Sequence, residues 1–163
     1  MDTNNSREMQ LRIVRRIPLR EVIDKIEQYE IQFGSSLDDL SNQFAKRTFD
    51  SEAFDIYVEW IAMEYALGAY VEGEAFDYLT EEILELGPQD LSKLTPKRLE
   101  LLDLMSRHNA DSINGLASSI GRDVKNVYND LKTLESLGFI ALVKDGRRMI
   151  PDLLVKEITF LTW

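Results

Sequence analysis

Hydrophobic positions along this chain change period several times, and each change predicts an element. Ile113, Leu116, Ala117 and Ile120 fall at i, i+3, i+4 and i+7, one face of a helix, with Gly121 just past its end. A second helix is predicted to start near Asp123, holding Val124, Val127, Leu131, Leu134 and Leu137 on one side until Gly138. Phe139 to Ile150 then reads as two short strands turning at Asp145-Gly146, a strong two-residue hairpin signal. Upstream, Thr95 caps and Pro96 opens a helix filled by Leu99, Leu101, Leu102, Leu104 and Met105 as far as about His108.

The N-terminal half is patterned differently. Residues 11–17 alternate apolar and basic side chains, as in a short edge strand. Pro18 opens a helix carrying Val22, Ile23, Ile26, Tyr29 and Phe33, which ends near Gly34. Ser35 or Ser36 caps a short helix with Leu37, Leu40 and Phe44 inward, and Asp38 and Asp39 suit its first turn. A long helix is predicted over about 52–71 and another over Phe76 to Leu86. Glu157 to Trp163 alternates like a last strand. Residues 1–10 are polar and predicted disordered, and 87–94 reads as the domain junction. The expected architecture is mainly α with a small β-wing (α+β). A helical domain over 11–88 precedes a winged helix-turn-helix over 94–163, an arrangement that puts a helix into the major groove of DNA.

On a wheel at about 100° per residue, Asn129 lies opposite the apolar face of the helix after Asp123, flanked by Lys125, Asn126, Lys132 and Thr133. Asn can pair bidentately with adenine, and Lys reaches guanine or phosphate. Arg122, just before the helix, is placed to meet the backbone; Tyr128 sits at the edge of the buried face, where it packs or donates its hydroxyl to a phosphate. Lys144, Arg147 and Arg148 surround the hairpin tip and suit phosphates. Each residue taken singly is equally well read as a solvated polar position; the ordered constellation points to double-stranded DNA.

Charge both sharpens and opposes this picture. The net charge is −10, which argues against DNA binding. Residues 21–90 hold three Lys or Arg against eighteen Asp or Glu, whereas residues 91–163 hold eleven against nine. An acidic block is thus joined to a slightly basic one, and the two are expected to do different jobs. There are no cysteines, so disulfides, thiolate catalysis and cysteine zinc sites are excluded; a reducing cytoplasm fits. No apolar run suits a membrane span and no signal-peptide pattern is found.

Leu94-Thr95-Pro96-Lys97-Arg98-Leu99-Glu100-Leu101-Leu102, Gly121 to Val127, and Asp130-Leu131-Lys132-Thr133-Leu134-Glu135-Ser136-Leu137-Gly138 resemble a family of prokaryotic, often archaeal, winged-helix regulators of MarR-like shape. The resemblance covers about 94–163 and implies transcriptional regulation or antitoxin-like autoregulation. Two positions depart from it: Gly115 stands where a long charged residue is usual, and Asn129 where Arg is common. Tyr29 to Gly34, followed by Val58-Glu59-Trp60, is weakly similar to small helical antitoxin-like domains, which raises a toxin partner.

The long helix has two apolar stripes, Ile56, Trp60, Met63, Leu67 and Tyr70 on one side and Phe54, Tyr57, Val58, Ile61 and Tyr65 on the other. A helix apolar nearly all round is central to a core or shared with another chain. Ile56, Trp60, Met63 and Leu67 are the expected dimer or partner interface, with Trp60 as its anchor. The acidic run Glu72, Glu74, Asp77, Glu81, Glu82 and Glu85 reads as a solvated face, as a surface for a basic protein partner, or, least well, as a carboxylate metal site. His108, the only histidine, sits at a predicted helix end, and no nucleophile motif, phosphate loop or zinc spacing occurs. The chain is expected to be a cytoplasmic, homodimeric DNA-binding regulator and not an enzyme, with no cofactor or metal. The alternative is an antitoxin whose acidic domain neutralises a basic toxin.

Overall fold

The structure, a computed structural model, describes residues 8–45 and 50–162, the Phe44 side chain excepted. The expected tail over 1–10 lies outside the described residues as far as Arg7, as do the inward placement of Phe44 and the place of Trp163 at the end of the last strand. Met9 and Gln10, assigned to that tail, instead open a strand. The fold is mixed α/β, with seven helices and five strands among the described residues.

Two compact units result. One is Arg16–Leu79; the other joins the segment ending at Arg15 to the segment starting at Thr80. This differs from the expected division into 11–88 and 94–163, and strand pairing is the reason. Strand β1 (Met9–Arg16) lies between β2 (Leu79–Leu86) and β5 (Val155–Leu161), so the two ends of the chain share one sheet. β1 is therefore a central strand and not the edge strand expected. It pairs antiparallel with β5, matching Leu11 to Phe160 and Ile13 to Ile158.

The helix expected over Phe76 to Leu86 is not formed. Leu79, Ile83 and Leu86 fit helical spacing, but in β2 burial alternates instead: Thr80, Glu82, Leu84 and Leu86 turn inward while Leu79, Glu81, Ile83 and Glu85 face out. Glu82 accepts a hydrogen bond from Arg15 Nε at 2.9 Å, and Glu85 accepts one from Gln10 Nε2 at 3.0 Å. Part of the acidic run thus faces basic and polar partners on β1.

In the helical unit, α1 (Leu19–Phe33) ends at Gly34, whose φ of 64° is the left-handed conformation that glycine adopts without a Cβ clash. Helix α2 (Leu37–Phe44) is capped by Ser36, and α3 (Ser51–Val71) by Asp50, whose carboxylate accepts from Ala53 N at 2.8 Å. Trp60 and Met63 are fully buried among Val22, Ile26 and Leu40. The Trp60 ring lies 5.8 Å from that of Tyr29 and 6.1 Å from that of Phe33. Tyr57 and Leu67 pack against the same cluster. This corrects the expected interface: Trp60 and Met63 are this unit's own core, and Ile56 and Leu67 are half-buried. The opposite stripe, Phe54, Val58, Ile61 and Tyr65, is the one left exposed. Because α3 is apolar on both sides, the packing of α1 and α2 decides which stripe is covered.

In the other unit, the short α4 (Pro88–Leu91) occupies the expected junction. Helix α5 (Pro96–Arg107) is capped by Thr95, α6 (Ile113–Ser119) by Ser112, and α7 (Val124–Ser136) by Asp123. Strands β3 (Ile140–Asp145) and β4 (Arg148–Leu153) pair antiparallel. Asp145 pairs with Arg148, so the turn residues are Gly146 and Arg147, one position beyond the expected Asp145-Gly146. Gly146 takes φ 60°, and no non-glycine residue among those described takes a positive φ, which fits a turn with glycine at its first central position. Leu101, Leu116, Val127, Leu131, Leu134 and Phe139 form the core with Leu11 and Ile13 of β1.

Candidate functional site

Three devices, two local and one reaching across to α5, place α7. The chain leaves α6 through Gly121 at φ 64°. Asp123 then caps α7, its carboxylate accepting from Asn126 N at 3.2 Å. Finally, Asp130 on the helix accepts from Arg98 Nε of α5 at 3.0 Å and from Arg122 Nη2 at 2.6 Å. Arg98 also donates to Lys93 O at 2.8 Å. These side chains are only 14–21% exposed. Val127, Leu131 and Leu134 are fully buried on the other side, whereas Val124, expected on the apolar face, is 42% exposed.

The polar side of α7 stands between two grooves. The first, of about 600 Å³, runs between the start of α6, the start of α7 and the hairpin tip; Lys125, Tyr128, Arg147 and Arg148 line it together with Ser112 and Asn114. The second, of about 770 Å³, lies between the starts of α5 and α7, and brings together Asn126, Asn129, Arg122 and Lys97. The structure therefore splits the expected residues into two sets on the flanks of one helix. Lys132 and Lys144 line neither groove.

Availability differs as sharply as position. Lys97, Lys125, Lys144, Arg147 and Arg148 are exposed and make no ion pair or side-chain hydrogen bond among the described residues. Arg122, expected to meet a phosphate, is instead held by Asp130. Lys132 pairs with Glu135 at 2.6 Å, and that hydrogen bond, with the attraction of the carboxylate, raises its pKa. Glu135 Oε2 in turn accepts from Leu142 N at 3.1 Å, which ties α7 to β3. Tyr128 is 40% exposed along the first groove and does not pack inward.

Sequence reasoning gave no binding role to Lys97, Ser112 or Asn114. The available signal was local: Ser112 and Asn114 begin α6, and Lys97 follows Pro96 at the start of α5. These two helix starts converge on α7 only in the folded unit. Free cations, amides and a hydroxyl lining grooves on either side of one helix can contact an anionic polymer and read hydrogen-bonding edges; they offer no activated nucleophile. Among the described residues no group of three or more His, Asp or Glu could hold a metal ion, and no helix is long and apolar enough to cross a membrane.

No curated protein matches the chain. Over residues 93–160, the stretch that holds α5, α6, α7, the β3–β4 hairpin and most of β5, the chain is similar to the HVO_A0114 family.

Proposed function

We propose that the unit carrying α5–α7 and the β3–β4 hairpin is a winged helix-turn-helix that binds double-stranded DNA, and that the protein is a cytoplasmic transcription regulator without enzymatic activity. The observation that carries this reading is the first groove: the N-terminal half of α7 and the hairpin tip face the same space, lined by three cations without ion-pair partners among the described residues, Lys125, Arg147 and Arg148. In this reading α7 enters the major groove with Lys125, Asn126 and Asn129 toward base edges. Arg147 and Arg148 lie against a phosphate backbone, and Lys97 is a further phosphate contact on the other flank. Arg122 positions α7 through Asp130 in place of the direct phosphate contact expected from the sequence. The low positive charge of residues 91–163 puts the weight on base contacts more than on non-specific attraction.

Polarisation titration against duplexes from upstream of the protein's own gene tests this. Asn126→Ala with Asn129→Ala relaxes discrimination between sequences, by about 1–3 kcal/mol for each bidentate pair with a base that the change removes. Arg147→Ala with Arg148→Ala weakens binding to all sequences and flattens the salt slope by about 2. Unchanged affinity, specificity and salt slope in both double variants would refute the reading.

A further inference from the structure

The exposed stripe of α3 has a spacing that fits itself. Phe54, Val58, Ile61 and Tyr65 are separated by four, three and four residues, a heptad-like seam that reads the same in both directions. They are 54%, 49%, 41% and 81% exposed. No charged residue lies within the stripe; Ala62 and Gly68 border it. Carboxylates that a basic protein partner could pair with lie only at the edges of the stripe, at Asp55 and Glu72.

We propose that this stripe joins two copies of the chain through antiparallel α3 helices about a two-fold axis. The inference rests on α3 alone and stands or falls independently of DNA binding. A two-fold centred between Glu59 and Trp60 sets Phe54 of one copy opposite Tyr65 of the other, and Val58 opposite Ile61, twice each. An isologous interface requires this self-complementarity. Each contact then pairs a ring with a ring and a β-branched side chain with another. Side chains of roughly 150–200 Å² each, at these exposures, leave on the order of 400 Å² of apolar surface per copy. Pairing doubles this to about 800 Å², and the bordering residues bring the total to roughly 1,200 Å², the lower end of stable interfaces.

Sedimentation of the full chain over a range of concentrations provides the first measurement, with a dimer expected. Val58→Lys and Ile61→Glu, both at exposed positions, each weaken that dimer by at least about tenfold when alone. Mixed, they restore it, because the antiparallel register sets the new lysine opposite the new glutamate and leaves Ile61 opposite Val58. A parallel register sets both charges against apolar residues and gives no rescue. The absence of native cysteines allows a second readout that does not depend on the charged variants. Phe54→Cys mixed with Tyr65→Cys forms a disulfide-linked dimer on mild oxidation. Tyr65→Cys alone does not, since the two copies of residue 65 lie about 16 Å apart along the helix pair. A monomeric wild type, a dimer indifferent to Val58→Lys, or linkage of Tyr65→Cys to itself in preference to Phe54→Cys would each overturn the proposal.

Discussion

Asp130 is the test of whether α7 is held by charge as well as by its apolar face. Replacing it with Ala removes two charge-assisted hydrogen bonds, from Arg98 at 3.0 Å and Arg122 at 2.6 Å, and leaves two guanidinium groups facing an emptied site. Exposed ion pairs contribute about 0–1 kcal/mol, and removing one partner of a buried pair costs about 3–5. The three side chains are 14–21% exposed, so the expected loss lies between these limits, near ~2 kcal/mol. Asp130→Asn keeps one acceptor oxygen and loses about half of that. At this chain length each kcal/mol lowers the thermal midpoint by about 2–4 °C, so Asp130→Ala melts about 4–8 °C lower. Circular dichroism melts and urea titrations of Asp130→Ala, Arg122→Ala and the double variant measure this directly. The cycle should show a coupling of about 1 kcal/mol, because the singles break the same bond. Strictly additive singles, or an Arg122→Ala that costs DNA affinity and no stability, would refute the positioning role of Arg122 and return it to phosphate contact.

Trp60→Ala empties the centre of the helical unit and costs about 3–5 kcal/mol, read as loss of the α1–α3 ellipticity at moderate denaturant; a fully stable variant that merely dissociates would restore Trp60 to an interface. Tyr29 has its pKa raised, first by burial and then by its hydrogen bond to Glu59 at 2.7 Å. Its folded value exceeds the unfolded value of about 10, so this contribution is complete below that pH and is lost as pH climbs through the folded value. Tyr29→Phe therefore shrinks the alkaline fall in urea midpoint; part survives because burial raises Tyr78 in the same direction, and an identical fall in the variant would contradict this. Gly121→Ala meets nothing within 4 Å but must take φ 64°, a cost of about 1 kcal/mol that Gly121→Asn partly recovers in the same melts.

Local signals in the sequence were sufficient wherever the deciding partner lies within a few residues. Ser36 and Thr95 cap the helices they were expected to cap, because each accepts from a backbone N–H three residues on. Gly34, Gly121 and Gly138 end the expected segments at positive φ for an equally local steric reason. The hairpin was legible on the same grounds, and its one-residue shift reflects strand register, which a turn signal constrains only loosely. At the candidate site, the polar face of α7 and the basic tip of the hairpin could be read off the chain. Their meeting across one groove could not, nor could the capture of Arg122 by Asp130 eight residues away on a helix whose pitch and anchoring to α5 set the distance.

Partners distant in sequence decided the rest. Leu79 to Leu86 supports a helical period as readily as an alternating one, and the pairing of β2 with β1 selects the strand. β1 is central and not an edge because β5 closes on it from the far end of the chain. The two stripes of α3 are equivalent as sequence; α1 and α2 bury Trp60 and Met63 and leave Phe54, Val58, Ile61 and Tyr65 outside. Composition and spacing thus determined which segments are amphipathic and where they stop, since those properties follow from backbone sterics and neighbouring hydrogen bonds. Which face is covered, which strands are neighbours and which cations stay free are properties of non-local packing, where each element's environment is made by residues far along the chain.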